Sequence, residues 1–176
     1  MTITLTDLLK QEVEGAYHAT EGLFKLVDKD KLGWKPATGK NWMTTGQVLH
    51  HLTNACGFCV KGFVTGDWGM PAGAKPEDMK PEDMLPPAEK LPTVKSVDEA
   101  LKLLADDKKT ALKFIAEAGE KNLLTKTLTA PWGGPPMTLF QHIDHMIGHQ
   151  GQHKAQLFYY LKLQGKDVNT GNLWGM

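Results

Sequence analysis

The 176-residue chain has few cysteines, no excess of charge of either sign and no long apolar run. Lysine plus arginine total 20 and aspartate plus glutamate total 20, so the basic excess typical of nucleic-acid-binding proteins is missing, and we expect no nucleic-acid partner. No apolar stretch approaches the ~20 residues of a transmembrane helix, so we expect no membrane insertion. The opening sequence MTITLTDLLKQEVEG lacks the basic and apolar regions of a signal peptide, which predicts a cytoplasmic location.

The two cysteines, Cys56 and Cys59, are too few for a disulfide framework. Their C-x-x-C spacing also occurs in redox motifs, but those motifs place the first thiol at a helix N-terminus, where its pKa falls. Here the pair lies inside an apolar helical pattern, which favours two small buried side chains. The single serine, Ser96, is explained as a helix cap, so we expect no serine nucleophile.

Apolar residues recur at helical spacing in four segments of the chain. The predicted helices run from about Thr4 to Asp28, from Thr44 to near Gly66, from Ser96 to Gly119, and from Thr138 to about Gln164. The last three begin with a capping-box pattern, in which serine or threonine is followed three residues later by glutamate or glutamine. Four long amphipathic helices without a series of strands predict an all-α, up-and-down four-helix bundle, as a single domain over residues 1–176.

The connection between the second and third predicted helices is long and rich in proline. Residues 66–95 contain six of the ten prolines and a duplication, KPEDM at 75–79 and again at 80–84. Repeated prolines preclude a continuous helix. A solvated connection between the bundle ends explains this composition; a lid over a functional site is the alternative, because long ordered loops often carry function. The Thr-rich residues 123–130 are candidates for an extended segment.

Four of the seven histidines lie on one face of the fourth predicted helix. They are His142, His145, His149 and His153, and at about 100° per residue they fall within roughly 80° of one another. His51 borders the apolar face of the second helix in the same way. Crowded, buried imidazoles cannot all be protonated, whereas a metal ion takes one lone pair from each neutral ring. The pattern therefore predicts a metal site.

Helical spacing leaves the ligand set open. Histidines four residues apart can both reach one ion at about 2.0–2.1 Å, with a third ligand from a facing helix. This spacing fits His145 with His149 and equally His149 with His153. Either set contains no carboxylate and leaves coordination positions for water or substrate, as in catalytic rather than structural sites. Ordinary core histidines without a metal are the alternative.

Other chemistries lack the residues that they require. Di-iron carboxylate bundles need Glu-x-x-His motifs on two helices, and the fourth predicted helix contains no glutamate. The H-E-x-x-H motif of zincin proteases is absent, and no Gly-rich phosphate loop follows a strand.

Two motifs resemble those of the DinB-like superfamily, which includes thiol-transferase-like bundle proteins. The C-terminal signature of that family is a polar residue, H-x-x-x-H and then R-G-Q, and residues 144–152 read DHMIGHQGQ. Its helix-two signature is a glycine, a few apolar residues and a histidine, and residues 46–52 read GQVLHHL. WKP at 34–36 and Trp42 also look like the segment that precedes this helix in the family. Gln150 departs from the pattern, since many relatives carry arginine there.

The resemblance implies one divalent metal ion, nickel or zinc, held by His51, His145 and His149. It also implies frequent homodimers, a cavity at one end of the bundle, and either transfer or isomerisation chemistry with a low-molecular-weight thiol or metal-dependent hydrolysis. We therefore expect a small-molecule substrate and a metal-dependent transferase or hydrolase, with a low-molecular-weight thiol as a possible co-substrate. A non-enzymatic metal-binding or structural protein of the same fold is the alternative. His142 and His153 are not among the ligands that the resemblance implies; satisfied core histidines are the favoured interpretation, residues that support the ligands or line the pocket are the alternative, and no catalytic residue is assigned.

Overall fold

The computed structural model describes residues 2–70 and 86–176. Its helices are α1 (Leu5–Phe24), α2 (Thr45–Leu52), α3 (Gly57–Thr65), α4 (Val97–Thr125), α5 (Leu139–Leu163) and α6 (Thr170–Trp174). Two 3-10 turns, Lys29–Lys31 and Ala88–Lys90, and an antiparallel ribbon of β1 (Thr127–Leu128) with β2 (Met137–Thr138) are the other regular elements of these residues. The predicted all-α bundle is confirmed, with its second helix divided into α2 and α3.

One apolar core lies between α1, α4, α5 and the α2–α3 pair. The helix α4 packs against α1 and α3, and α5 packs against α1, α2 and α3. The largest side chains that are almost completely buried include Tyr17, Phe24, Leu49, Phe63, Ile115, Ile143 and Leu157. Burying a large apolar side chain contributes roughly 1.5–3 kcal/mol relative to leaving it exposed. This core fixes the faces that α2 and α5 present to each other.

The predicted helix starts are confirmed by their caps. The Thr44 hydroxyl accepts from the Gln47 backbone N–H, and the Gln47 side chain accepts from the Thr44 N–H in return. Thr138 and Gln141 form the same reciprocal pair at the start of α5. Such a cap is typically worth about 1 kcal/mol. The cap at Thr138 places the first residue of α5 at Leu139, one residue after the predicted start.

Two helix ends differ from the prediction. The helix α1 ends at Phe24 rather than at Asp28. Gly119 interrupts α4 as predicted, since its φ of 69° lies in the region that glycine alone adopts freely, but helical turns resume and continue to Thr125. Only residues 127–128 of the Thr-rich stretch are therefore extended.

A buried carboxylate on α4 explains the division of α2 from α3. Asp107 is 7% exposed, and its two oxygens accept from the backbone N–H groups of Gly57 and Phe58, each at 2.9 Å. These N–H groups open α3 and have no acceptor inside the helix, and a negative charge there is favoured by the helix dipole. Tyr17 donates its hydroxyl to the same carboxylate at 2.6 Å. A side chain 50 residues away in sequence thus starts a new helix at Gly57.

The sequence pattern predicted that both cysteines lie inside one helix, but they lie at the start of α3. Cys56 is the N-cap of α3 and is completely buried, and Cys59 is half-buried. Burial raises the pKa of the Cys56 thiol, and the neighbouring Asp107 carboxylate raises it further. The same two causes raise the pKa of Cys59 to about 12. Both thiols are therefore protonated at neutral pH and are unreactive, although one of them lies at a helix N-terminus.

The C-terminal segment packs back onto the first helix. The carbonyl of Gly175 lies 3.1 Å from Nε2 of His18, and Leu173 packs against the core. The duplicated KPEDM segment lies outside the described residues. Among the helices of residues 2–70 and 86–176, we find none with the length and apolar character needed to cross a bilayer.

Replacing Asp107 by alanine should cost about 3 kcal/mol in the free energy of unfolding, because buried donors left without an acceptor cost about 1–3 kcal/mol each. Chemical denaturation measures this loss. Asp106→Ala is the matched control, since Asp106 is exposed and, within residues 2–70 and 86–176, forms an ion pair only with Lys109, at 3.2 Å. The loss in this variant should stay within about 0.5 kcal/mol. Equal losses in the two variants would contradict the capping role.

Candidate metal centre

Three imidazoles meet between α2 and α5. Nε2 of His149 lies 3.3 Å from Nε2 of His51 and 3.0 Å from Nε2 of His153. One ring nitrogen from each histidine falls within 4.8 Å of the other two. His51 comes from the last turn of α2, and the other two come from successive turns of α5. We call these three residues the histidine group.

The spacing of the histidine group fits a metal ion. Two nitrogens bound tetrahedrally to one ion at about 2.0–2.1 Å lie about 3.3 Å apart; the Nε2 atoms of His51 and His149 have this separation, and those of His149 and His153 are slightly closer, at 3.0 Å. The group contains no carboxylate. These three histidines could therefore hold one metal ion through Nε2, with further positions left for water or substrate.

The histidine group contains His149 and His153, whereas the predicted ligand set pairs His149 with His145; that ligand set stays a prediction. His145 lies one helical turn before His149, is exposed, and lines a groove with Glu12 of α1. The rotation of α5 turns residues 149 and 153 toward α2 and leaves residue 145 on the side of α1. Helical spacing admits both pairs and the motif resemblance selects His145 with His149, whereas the described geometry brings His149 and His153 together with His51.

Burial lowers the pKa of every ring in the histidine group. The pKa of His51 falls to about 3, because the ring is desolvated and lies beside His153 and His149. Desolvation and the neighbouring His153 lower the pKa of His149, against the effect of the Ala55 backbone carbonyl. Desolvation lowers the pKa of His153, against its hydrogen bond to Gln156. The rings are therefore neutral at pH 7, which is the state that binds metal.

The outer ring nitrogens have different surroundings. Nδ1 of His153 lies 2.8 Å from Oε1 of Gln156, whose Nε2 donates to the Tyr160 hydroxyl at 3.0 Å. Nδ1 of His149 is buried and has no hydrogen-bond partner among the described residues. Leaving such an atom unpaired costs about 1–3 kcal/mol. A metal ion on Nε2 would place the proton of His149 on Nδ1.

A family model of the DinB superfamily matches residues 12–157. The chain belongs to the DinB superfamily. The resemblance inferred from the histidine motifs is thereby confirmed at the level of the family.

Two solved structures share the fold. A DinB-like protein from Bacillus subtilis is 15% identical, with a TM-score of 0.64 over 92% of this chain and 95% of that one. A DinB-like protein from Bacillus cereus is 17% identical, with a TM-score of 0.66 over 92% of this chain and 93% of that one. Comparison with curated protein sequences gives no significant match.

A second histidine environment in this DinB-superfamily bundle is structural. His142 is 1% exposed, stacks on Phe63 at 4.2 Å between ring centroids, and donates from Nε2 to the Leu128 carbonyl at 2.8 Å. Trp68 and Trp132 pack edge-on around Phe63 at 5.0 and 5.6 Å. The predicted role of His142 as a satisfied core histidine is confirmed. Because its Nε2 carries the proton, it is not available as a ligand atom.

An open groove reaches the histidine group from the side of α1. Its volume is about 590 Å³, and it is lined by Glu12, Asp144, His145, Ile147, Gly148, His149 and Gln152. His149 belongs to both the groove and the histidine group. The DinB-superfamily chain thus has solvent access beside one of its three converging imidazoles.

Sequence reasoning missed Gln156. The sequence spacing could have indicated this residue, because residues three and four apart are neighbours on a helix. Gln156 lies three residues after His153 and four before Tyr160. A glutamine carries no charge and is common on helix surfaces, so this spacing did not distinguish it from its neighbours.

In protein freed of metal by a chelator, the depressed pKa of His51 should make the bundle less stable in acid. An unfolded histidine takes up a proton below a pKa near 6.5, whereas native His51 stays neutral down to about pH 3. Its contribution to stability is therefore fully present above pH 6.5 and falls as the pH decreases toward 3, by at most about 1.4 kcal/mol per pH unit. Denaturant unfolding between pH 7 and 4 should give a shallower slope for His51→Phe. Identical slopes would contradict a neutral, buried His51.

Proposed function

We propose that this chain is a metal-dependent enzyme that acts on a small molecule, with thiol S-transferase-like or hydrolase-like chemistry. The observation that carries the proposal is the convergence of Nε2 from His51, His149 and His153 with no carboxylate among them. Three neutral ligands preserve the full positive charge of a divalent ion. Zinc or nickel on such ligands supplies Lewis-acid chemistry and lowers the pKa of a bound thiol or water.

The protein's own residues would bind and orient in this proposal. The three histidines hold the ion, and their low dielectric surroundings keep them unprotonated at neutral pH. The groove beside His149 falls within the range of about 300–1,000 Å³ typical of small-molecule sites. We propose it as the approach of the substrate. The low-molecular-weight thiol and the homodimer expected from the resemblance stay predictions.

The ligand set has a direct test. His51→Ala, His149→Ala and His153→Ala should each abolish stoichiometric metal, because two imidazoles hold a divalent ion far more weakly than three. His145→Ala is the matched control and should keep the wild-type metal content. Elemental analysis of protein purified without added metal, followed by Zn²⁺ titration calorimetry, makes the comparison.

Two other outcomes of this experiment would each contradict a different part of the proposal. Loss of metal in His145→Ala with retention in His153→Ala would support the set first predicted from the sequence. A wild type that neither carries nor takes up metal would overturn the metal proposal. In that case a chelator would also leave the melting temperature unchanged, since a ligand that binds only the native state must stabilise it.

Metal-loaded wild type should consume low-molecular-weight thiols in the presence of small electrophiles, or hydrolyse members of an ester panel. His149→Ala should lose this activity together with its metal. The decrease in free thiol and the release of product measure the two reactions. Stoichiometric metal without turnover on either panel would contradict the enzyme proposal and favour a non-enzymatic metal-binding protein.

A further inference from the structure

A chain of hydrogen bonds leads from His153 through Gln156 and Tyr160 to a backbone carbonyl. Because a carbonyl can only accept, the donor and the acceptor of each bond in the chain are determined. The Met43 carbonyl can only accept, so the Tyr160 hydroxyl donates to it at 2.9 Å. The phenol oxygen is then left to accept from Nε2 of Gln156 at 3.0 Å. The amide oxygen of Gln156 therefore faces Nδ1 of His153, 2.8 Å away.

The direction of this chain determines where His153 carries its proton. An amide oxygen only accepts, so Nδ1 must be the protonated nitrogen of the neutral ring. Nε2 of His153 then carries the lone pair, and Nε2 is the atom that lies 3.0 Å from Nε2 of His149. We propose that Gln156 is a positioning residue, which holds His153 as the Nδ1–H tautomer and keeps its Nε2 free to bind metal.

The packing around Tyr160 makes the chain rigid. Tyr160 is 2% exposed, and its ring meets Trp34 and Trp42 edge-on, at 5.2 and 6.3 Å between centroids. Met43, the final acceptor, lies just before α2, the helix whose last turn carries His51. The chain thus joins the ligands of α5 to the start of the helix that supplies the third ligand.

The contrast with His142 on the same helix shows that the surroundings, rather than the helix, set the tautomer. There the acceptor is the Leu128 carbonyl and it faces Nε2, so His142 is held in the opposite tautomer. Partners that orient a ligating histidine typically change metal affinity by 10–100-fold when they are lost. Without an acceptor at Nδ1, the proton of His153 can return to Nε2 and compete with the metal ion.

The test compares Gln156→Leu, which removes the acceptor, with Gln156→Glu, which keeps an acceptor oxygen. Gln11→Leu is the matched control, since Gln11 is exposed on α1. Long-range ¹H–¹⁵N NMR of the metal-free proteins reads the tautomer of each histidine, and Zn²⁺ titration reads the affinity. We expect Nδ1–H at His153 in wild type, Gln156→Glu and Gln11→Leu, and an increase of Nε2–H in Gln156→Leu. His142 should stay Nε2–H in all four proteins and serves as the internal reference.

Zn²⁺ affinity should fall 10–100-fold in Gln156→Leu and stay near the wild-type value in Gln156→Glu. Should Gln156→Leu not fold, Tyr160→Phe replaces it, because loss of the hydroxyl lets the Gln156 amide turn over. An Nε2–H tautomer at His153 in wild type, or an unchanged tautomer and affinity in Gln156→Leu, would overturn the inference.

The role of Gln156 in metal binding rests on the proposed function, but the tautomer does not. A wild type that shows Nδ1–H at His153 and takes up no Zn²⁺ would overturn the metal centre while the tautomer assignment stands. A wild type that binds Zn²⁺ and shows Nε2–H at His153 when metal-free would overturn the tautomer assignment while the metal centre stands.

Discussion

The buried carboxylate of Asp107 determines how the second helical segment of the bundle is built. By accepting the first N–H groups of α3, it allows α2 to stop one residue after His51 and a new helix to start at Gly57. A Cβ at Gly57 would lie 2.1 Å from the Asp107 backbone oxygen, so α3 and α4 approach as closely as glycine permits. Ala55 lies in the resulting break, and its backbone raises the pKa of His149, against the larger effect of desolvation. The candidate metal centre therefore depends on packing that lies outside it.

The histidine group costs stability to maintain. Three half-buried rings share one small volume, and Nδ1 of His149 is unpaired among the described residues. A structural cluster would be expected to satisfy its polar atoms, as His142 does through the Leu128 carbonyl. In the proposed function, a metal ion completes the inner ring nitrogens, which face one another across 3.0 and 3.3 Å. The direction of the Gln156 hydrogen bonds agrees with this, because it leaves a lone pair where the rings converge.

Much of the fold follows from local sequence, because the features that determine it are local. Helical periodicity and the Thr44 and Thr138 caps placed α2 and α5 to within a residue at their starts. The break at Gly57 depends on Asp107, 50 residues later, and no local pattern carries that information. The burial of Cys56 was predicted correctly from a wrong premise: it does lie at a helix N-terminus, but desolvation and the Asp107 charge raise its pKa.

The four histidines of α5 show why a stripe on one helix does not define a site. A rise of about 1.5 Å per residue puts His142 roughly 10 Å from His149 along the helix, and a step of four residues overshoots a full turn by about 40°, which turns His153 away from the direction of His145. His142 falls against Phe63 and a carbonyl, His145 falls beside the groove, and His149 with His153 face α2. The ligands are those two histidines in the proposal because His51 lies opposite them and because Gln156 leaves the inner nitrogen of His153 unprotonated. The sequence supplies the candidates, and the position of each histidine along and around α5 relative to the neighbouring helices selects among them.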